Sequence, residues 1–244
     1  MIEPLPPLPW GKSSALPTRD AKPHSLRGMA PGTSIVLKDG IHFLTSLGND
    51  KAIWKEAQPK LDEKHKVKAH IGDTSGGFIA LLDDGKTIIQ QVVGDKPEWK
   101  HLPAPLPFET VDLIAGDKNG MVIFNKAEGR LARSSGDCCS WVSLGSVPID
   151  VTMLTGDLAK NFVAYGESML YSVKVGKDTA QWTPLGKPNF GIKALSGNLA
   201  DGVVALIGDG SVAAYCANLD KPSWVILVGP EVPADAHASE GKKK

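Results

Sequence analysis

The sequence predicts an all-β protein, a five-bladed β-propeller of four-stranded antiparallel blades, on three observations. Tryptophan recurs at positions 10, 54, 99, 141, 182 and 224, at intervals of 44, 45, 42, 41 and 42 residues. An aspartate stands four residues before five of them, at Asp50, Asp95, Asp137, Asp178 and Asp220. An acidic-small pair also precedes each of these five: Asp39-Gly40, Asp84-Gly85, Glu128-Gly129, Glu167-Ser168 and Asp209-Gly210. A period of about 40 residues is the mark of stacked supersecondary units, and it governs every local signal inside it.

Each unit resolves into three turns and four apolar runs. The first turn carries Gly32, Gly77, Gly120, Asn161 or Gly202, residue types that accept a positive φ. The second is the acidic-small pair, which between two apolar runs is the strongest short hairpin signal. The third holds the aspartate that precedes the tryptophan. In the second unit the runs are Val67–Ile71, Phe78–Leu82, Thr87–Val93 and Trp99–Leu102. In the fifth they are Gly191–Ser196, Val203–Ile207, Val212–Cys216 and Trp224–Val228. Their apolar content and length of about five residues are those of strands. Such a unit cannot bury both its faces alone, so the units must stack around an axis. A helical solenoid of similar period is excluded, because 26 glycines and 18 prolines would break its helices.

The markers read as structural. An indole at the start of each outer strand (Trp54, Trp99, Trp141, Trp182 and Trp224) packs between adjacent blades. The aspartate before it accepts backbone N–H groups in its turn. The predicted boundaries are a proline-rich N-terminal arm over 1–22, a propeller over 23–228, and a polar tail over 229–244. Trp10 lies 18 residues before Gly28, as Trp54 lies 18 before Gly72, so the arm carries a spare outer strand. That strand either clasps the ring by joining the last blade or reaches a partner subunit. The prolines at 4, 6, 7, 9 and 17 instead favour a stiffened arm.

Composition narrows the function. With 27 basic and 27 acidic side chains, the chain lacks the basic excess of a nucleic-acid binder. A hydrophobic content of 42% excludes a disordered chain. There is no apolar stretch of the roughly 18 residues that a membrane span needs, and Met1 to Trp10 does not read as a secretory signal. Cys138, Cys139 and Cys216 show no Cys-x-x-Cys spacing and read as small core residues of a reducing compartment. A soluble, intracellular and cytoplasmic protein is expected.

Chemistry is sparse. The six histidines form no metal-ligand pattern, and no nucleophile elbow, phosphate loop or dinucleotide fingerprint occurs. No cofactor, metal or catalytic residue is assigned, and no enzyme is expected. In a propeller the turns between second and third strands share one face with the connections between blades. That face would carry Asp39, Asp84, Glu128, Glu167 and Asp209, with Asp83 beside them. Such a ring of carboxylates suits a cation, an amine or a basic partner loop. Ordinary turn chemistry is the favoured explanation of these pairs. The connections are rich in proline, at 59, 103, 105, 107, 148, 184 and 188, which suits a preformed binding face. His65, His70, Lys64, Lys66 and Lys68 read as a solvated basic loop.

The pattern Trp182, Leu185, Leu195, Gly197, Gly202, Val204, Asp209, Gly210 resembles the tectonin repeat of tachylectin-like propellers. The resemblance runs loosely from Trp10 to Leu227 and implies a non-enzymatic protein that binds sugars between blades. Sugar sites lean on exposed aromatic rings, however, and beyond the tryptophans only 3 Tyr and 6 Phe remain. The functional expectation is therefore a protein–protein interaction module, a scaffold or accessory subunit of a larger assembly. A lectin with a glycan ligand is the alternative, and a cation or catalytic site at the acidic ring a third.

Overall fold

The computed structural model describes residues 25–27, 34–37, 40–47, 52–59, 61, 66–73, 77–92, 96–102, 105–117, 119–134, 140–200, 202–208, 212–216 and 223–228. Twenty strands fall into five sheets of four. The first blade is β1 (Ser25–Arg27), β2 (Ser34–Leu37), β3 (Gly40–Leu47) and β4 (Ala52–Glu56). The second is β5 (Val67–Asp73), β6 (Gly77–Leu82), β7 (Ile88–Val92) and β8 (Glu98–His101). The third is β9 (Leu113–Asp117), β10 (Gly120–Asn125), β11 (Arg130–Ser134) and β12 (Trp141–Ser146). The fourth is β13 (Val151–Asp157), β14 (Asn161–Gly166), β15 (Met169–Val175) and β16 (Ala180–Gly186). The fifth is β17 (Ile192–Asn198), β18 (Gly202–Ile207), β19 (Val212–Cys216) and β20 (Ser223–Val228).

Within every sheet the strand order follows the chain and all pairs are antiparallel, as a meander of short hairpins must give. The first strands of successive blades adjoin: β1 beside β5, β5 beside β9, β9 beside β13, and β13 beside β17. Strand β17 in turn lies beside β1, so the inner strands close the ring. The predicted five-bladed propeller is the observed architecture. Both the first and the fifth blade draw all four strands from their own unit. The spare strand at Trp10, the arm and the C-terminal tail lie outside the described residues. Among the described residues no helix is long and apolar enough to cross a membrane.

In the second, fourth and fifth units the first turn behaves as its residue type demands. Gly77, Asn161 and Gly202 open the second strands with φ of 83°, 66° and 114°. Asn161 thus stands in for glycine in the fourth unit, the one common residue besides aspartate that enters this region readily. A further glycine recurs in β5, β9, β13 and β17, of which the sequence pattern includes Gly72 and Gly197. Gly72, Gly116, Gly156 and Gly197 sit one residue before the end of each inner strand, with φ of 98°, 123°, 108° and 88°. A Cβ at Gly156 or Gly197 would collide with the carbonyl oxygen of Asn161 or Gly202 across the turn. The inner hairpin can close this tightly only without a side chain there.

The core lies in the seams between blades. A middle strand has a neighbouring blade on both faces, so β6 and β10 are buried at every residue and read as continuous apolar runs. Residues of alternate parity serve alternate seams. Phe78 and Ala80 join Ile41 in the first–second seam, while Ile79 and Leu81 meet Met121 and Ile123 in the second–third. Val122 and Phe124 meet Phe162 and Ala164 in the third–fourth, and Val163 and Leu170 meet Val203 and Ala205 in the fourth–fifth. Trp99, Trp141, Trp182 and Trp224 each pack in the seam between their own blade and the preceding one. That is the expected role of the indoles. Trp54 falls on β4, and its side chain lies outside the described residues.

The connections add a second layer of sealing. Ala57 and Leu61 enter the first–second seam, Phe108 and Val111 the second–third, Val147 and Ile149 the third–fourth, and Phe190 the fourth–fifth. Each lies on the segment that runs from one blade's outer strand to the next blade's inner strand. Trp99 Nε1 also donates to the carbonyl oxygen of Pro59 on such a segment, at 2.8 Å.

Candidate binding face

The acidic-small turns and the blade-to-blade connections share one face of the ring, as the strand order requires. Three of the five turn acids are described: Asp84, Glu128 and Glu167. Asp39 and Asp209 lie outside the described residues. Asp84 holds its own turn. Its Oδ1 accepts from the Lys86 and Thr87 amides at 2.8 and 2.9 Å, and its Oδ2 from the Thr87 hydroxyl at 2.6 Å. Burial acts to raise the Asp84 pKa, but the Thr87 hydroxyl, the two amides and the Lys86 charge outweigh it. The carboxyl sits below its ordinary value.

The other two acids also act locally. The Glu128 carboxylate accepts from Arg130 Nη1 at 3.4 Å, and the Glu128 amide donates to Asn125 Oδ1 at 2.6 Å. Glu167 and Ser168 both have positive φ, 51° and 63°, the pair of angles a two-residue hairpin turn needs. Glu167 Oε1 accepts from the Asp150 amide at 3.4 Å. Among the described residues no three His, Cys, Asp or Glu side chains come together as a metal would need.

Asp178 is the one described member of the acids preceding the tryptophans. Asp50, Asp95, Asp137 and Asp220 lie outside the described residues. Asp178 is exposed in the β15–β16 turn, which is closed by the Gly176 amide donating to the Thr179 carbonyl at 2.8 Å. Here a backbone bond does what the carboxylate was expected to do.

Turn and connection are tied together on this face. The Val111 amide donates to the Gly85 carbonyl at 2.6 Å, and the Val147 amide to the Gly129 carbonyl at 2.7 Å. A Cβ on Gly85, whose φ is 66°, would approach Val111 O to 3.1 Å. Lys68 and the buried His70 lie on β5 and not in a solvated loop as expected, and Lys68 ties that strand to the connection before β9, donating to Val111 O at 3.1 Å and to Asp112 Oδ1 at 3.2 Å. Burial acts to raise the Asp112 pKa, but the Lys126 amide and the Lys68 ammonium reverse it, and the carboxyl ionises below its ordinary value.

Beside the Asp84 turn a cleft of about 350 Å³ opens, lined by Lys86, Thr87, Ile88, His101, Leu102, Pro105 and Leu106. Ile88 is buried, Leu102 and Leu106 are half-buried, and Lys86, His101 and Pro105 are exposed. An apolar floor therefore meets a rim that offers an ammonium, an imidazole and a hydroxyl. Leu102 and Leu106 pack against the same seam as Trp141, whose buried indole N–H has no partner among the described residues. Of the cleft residues only Pro105 was a sequence candidate, as one of the connection prolines. Their signal was the proline alternation from Leu102 to Pro107, which fixes the connection that forms the outer wall.

No protein-family model matches the chain. No curated protein is significantly similar to it in sequence. The solved structures that resemble it are β-propellers. A streptogramin B lyase structure has a TM-score of 0.55 at 14% identity, covering 88% of this chain and 72% of that one. A structure of YCF48 bound to D1 peptide has a TM-score of 0.51 at 14% identity, covering 88% and 70%. A nidogen/laminin complex has a TM-score of 0.52 at 13% identity, covering 72% and 70%. The set thus contains an enzyme as well as proteins seen with protein or peptide partners. At these identities the likeness extends to the fold alone, and the chain is a β-propeller.

Proposed function

We propose that this protein is a non-enzymatic interaction module, a scaffold or accessory subunit that holds a segment of another protein on the face carrying the acidic turns. One observation carries the reading. The cleft between Lys86 and Leu106 is apolar at its floor and polar at its rim, and it is walled by a proline-fixed connection. Such a site takes a short apolar segment without reorganising first, which saves the ordering cost of binding. Of the described turn acids, Asp84 and Glu128 are engaged within their own hairpins and Glu167 by the Asp150 amide of the neighbouring connection, which favours recognition by shape over chemistry there. YCF48 with its D1 peptide and nidogen with laminin are propellers of this kind seen with partners.

The test is capture from the native source, read by mass spectrometry, with three baits: the native chain, Leu106→Asp, and Lys160→Glu on the opposite face. A partner held by the native chain and by Lys160→Glu but lost with Leu106→Asp supports the reading. A partner held equally by all three removes the cleft from it. Strong binding across a glycan array, with no protein captured, would move the assignment to a lectin.

A further inference from the structure

The cleft beside the Asp84 turn differs in chemistry from the acidic turns on the same face. Two of its seven lining side chains titrate, Lys86 and His101, and both are bases. No carboxylate lines it. Asp84 commits its oxygens to the Lys86 and Thr87 amides and the Thr87 hydroxyl. Glu98 accepts from Lys100 Nζ at 2.7 Å. Glu109 meets Lys86 Nζ at 3.5 Å, but the two side chains are 85% and 56% exposed, and an ion pair so open to water contributes little. His101 is exposed and makes no hydrogen bond or ion pair among the described residues. The rim thus offers an ammonium and an imidazole, and no carboxylate, to a group that enters.

These donors sit on a frame that is tied on every side. Asp84 Oδ1 holds the Lys86 and Thr87 amides at 2.8 and 2.9 Å, so the Lys86 stem leaves the backbone at a set point. The Leu102 amide donates to the Ile88 carbonyl at 3.1 Å and joins the floor to the opposite wall. The Val111 amide, at 2.6 Å from the Gly85 carbonyl, anchors the far end of the connection that carries Pro105 and Leu106. The volume of about 350 Å³ lies near the lower end of the roughly 300–1,000 Å³ of ligand clefts. That is room for a short aliphatic stretch and not for a helix. Consecutive Cα atoms are about 3.8 Å apart, so an aliphatic side chain on Ile88, Leu102 and Leu106 brings its chain neighbour to the rim.

We propose that the partner segment joins an aliphatic anchor to an adjacent aspartate or glutamate, with the anchor on the floor and the carboxylate against Lys86 and His101, in place of Glu109. The inference rests on the reading of this cleft as a protein-binding site, and adds the charge of the partner. Complementary charge at such a rim selects among partners more than it adds affinity.

The test is selection from a displayed library of random linear heptapeptides on the full native chain, on Leu106→Asp and on Lys86→Glu. Peptides enriched on the native chain should carry aspartate or glutamate next to leucine, isoleucine or valine, and should be lost with Leu106→Asp. Lys86→Glu should enrich lysine or arginine at that place instead, which also shows that the variant folds. For the leading peptide, changing its acid to the amide should weaken binding to the native chain about two- to fivefold, and raising salt from about 0.05 M to about 0.5 M should shrink that difference. Aliphatic peptides selected without an acid, or with a basic residue, and still lost with Leu106→Asp overturn the proposal and leave the cleft as a protein site. Peptides kept by Leu106→Asp, or none enriched above it, remove the reading of the cleft and this proposal with it.

Discussion

Strands β10 and β18 hold the same place in their blades, yet one is buried throughout and the other on alternate residues. Their sequences, Met121-Val122-Ile123-Phe124 and Val203-Val204-Ala205-Leu206, are equally apolar. Both faces of β10 meet described seams, whereas only one face of β18 does. Beyond Phe124 come Phe162, Val173 and the connection residues Val147 and Ile149. Among the described residues no apolar cluster covers Val204 and Leu206. A repeat protein is stabilised by its interfaces as much as by its units, so two matching strands can have unequal shares in stability.

The largest expected effect probes a sealed seam. Phe162→Ala removes a fully buried ring from the third–fourth seam and should cost about 3–5 kcal/mol in urea unfolding. Comparable loss on truncating Leu206 would erase the contrast. Next come the inner-strand glycines, which the blades share. Gly156→Ala and Gly197→Ala each force a Cβ into a carbonyl, at about 2–4 kcal/mol. The two should agree, since the hairpins are alike and only the seams differ. Leu206→Ala should then cost about 1–2 kcal/mol, because the side chain is only half-covered.

The smallest effect concerns the turn acids. Asp84→Asn weakens three hydrogen bonds in an exposed turn, worth about 0.5 kcal/mol after solvent screening. Its folded pKa lies below the ordinary value, so its contribution is present at neutral pH and is lost as pH falls through that lowered value. Asp112 behaves alike through Lys68. Asp84→Asn should therefore leave a shallower loss of stability on acidification below the ordinary carboxylate range, followed by circular dichroism.

Much of this ring is legible in sequence, for a physical reason. The tryptophans, the acidic-small pairs and Asn161 recur because each blade solves the same local problem, so their spacing reports the fold directly. Strands of the second and fifth units fall within two residues of their expected ends. The seam chemistry is less visible. Phe108, Ile149 and Phe190 follow Trp99, Trp141 and Trp182 by 9, 8 and 8 residues, but they stand in connections of different length whose residue types do not mark a seam contact. The cleft was hidden for the same reason. Lys86 and Thr87 look like the exit of one turn and Leu102 to Leu106 like a linker, and only the closed sheet brings them together. The inner-strand glycines are read only in part: Gly72 and Gly197 enter the repeat, while Gly116 and Gly156 carry the same Gly-Asp signal after Ala115 and Thr155.

The central claim is that connections, and not strand faces alone, seal the described seams. Amide hydrogen exchange on the native chain and on Phe108→Ala, which empties one connection's place in the second–third seam, tests it most directly. The account predicts that exchange in β6 and β10 accelerates by at least about tenfold, while β18 keeps its protection. Unchanged exchange in β6 and β10, or equal acceleration in β18, would contradict it.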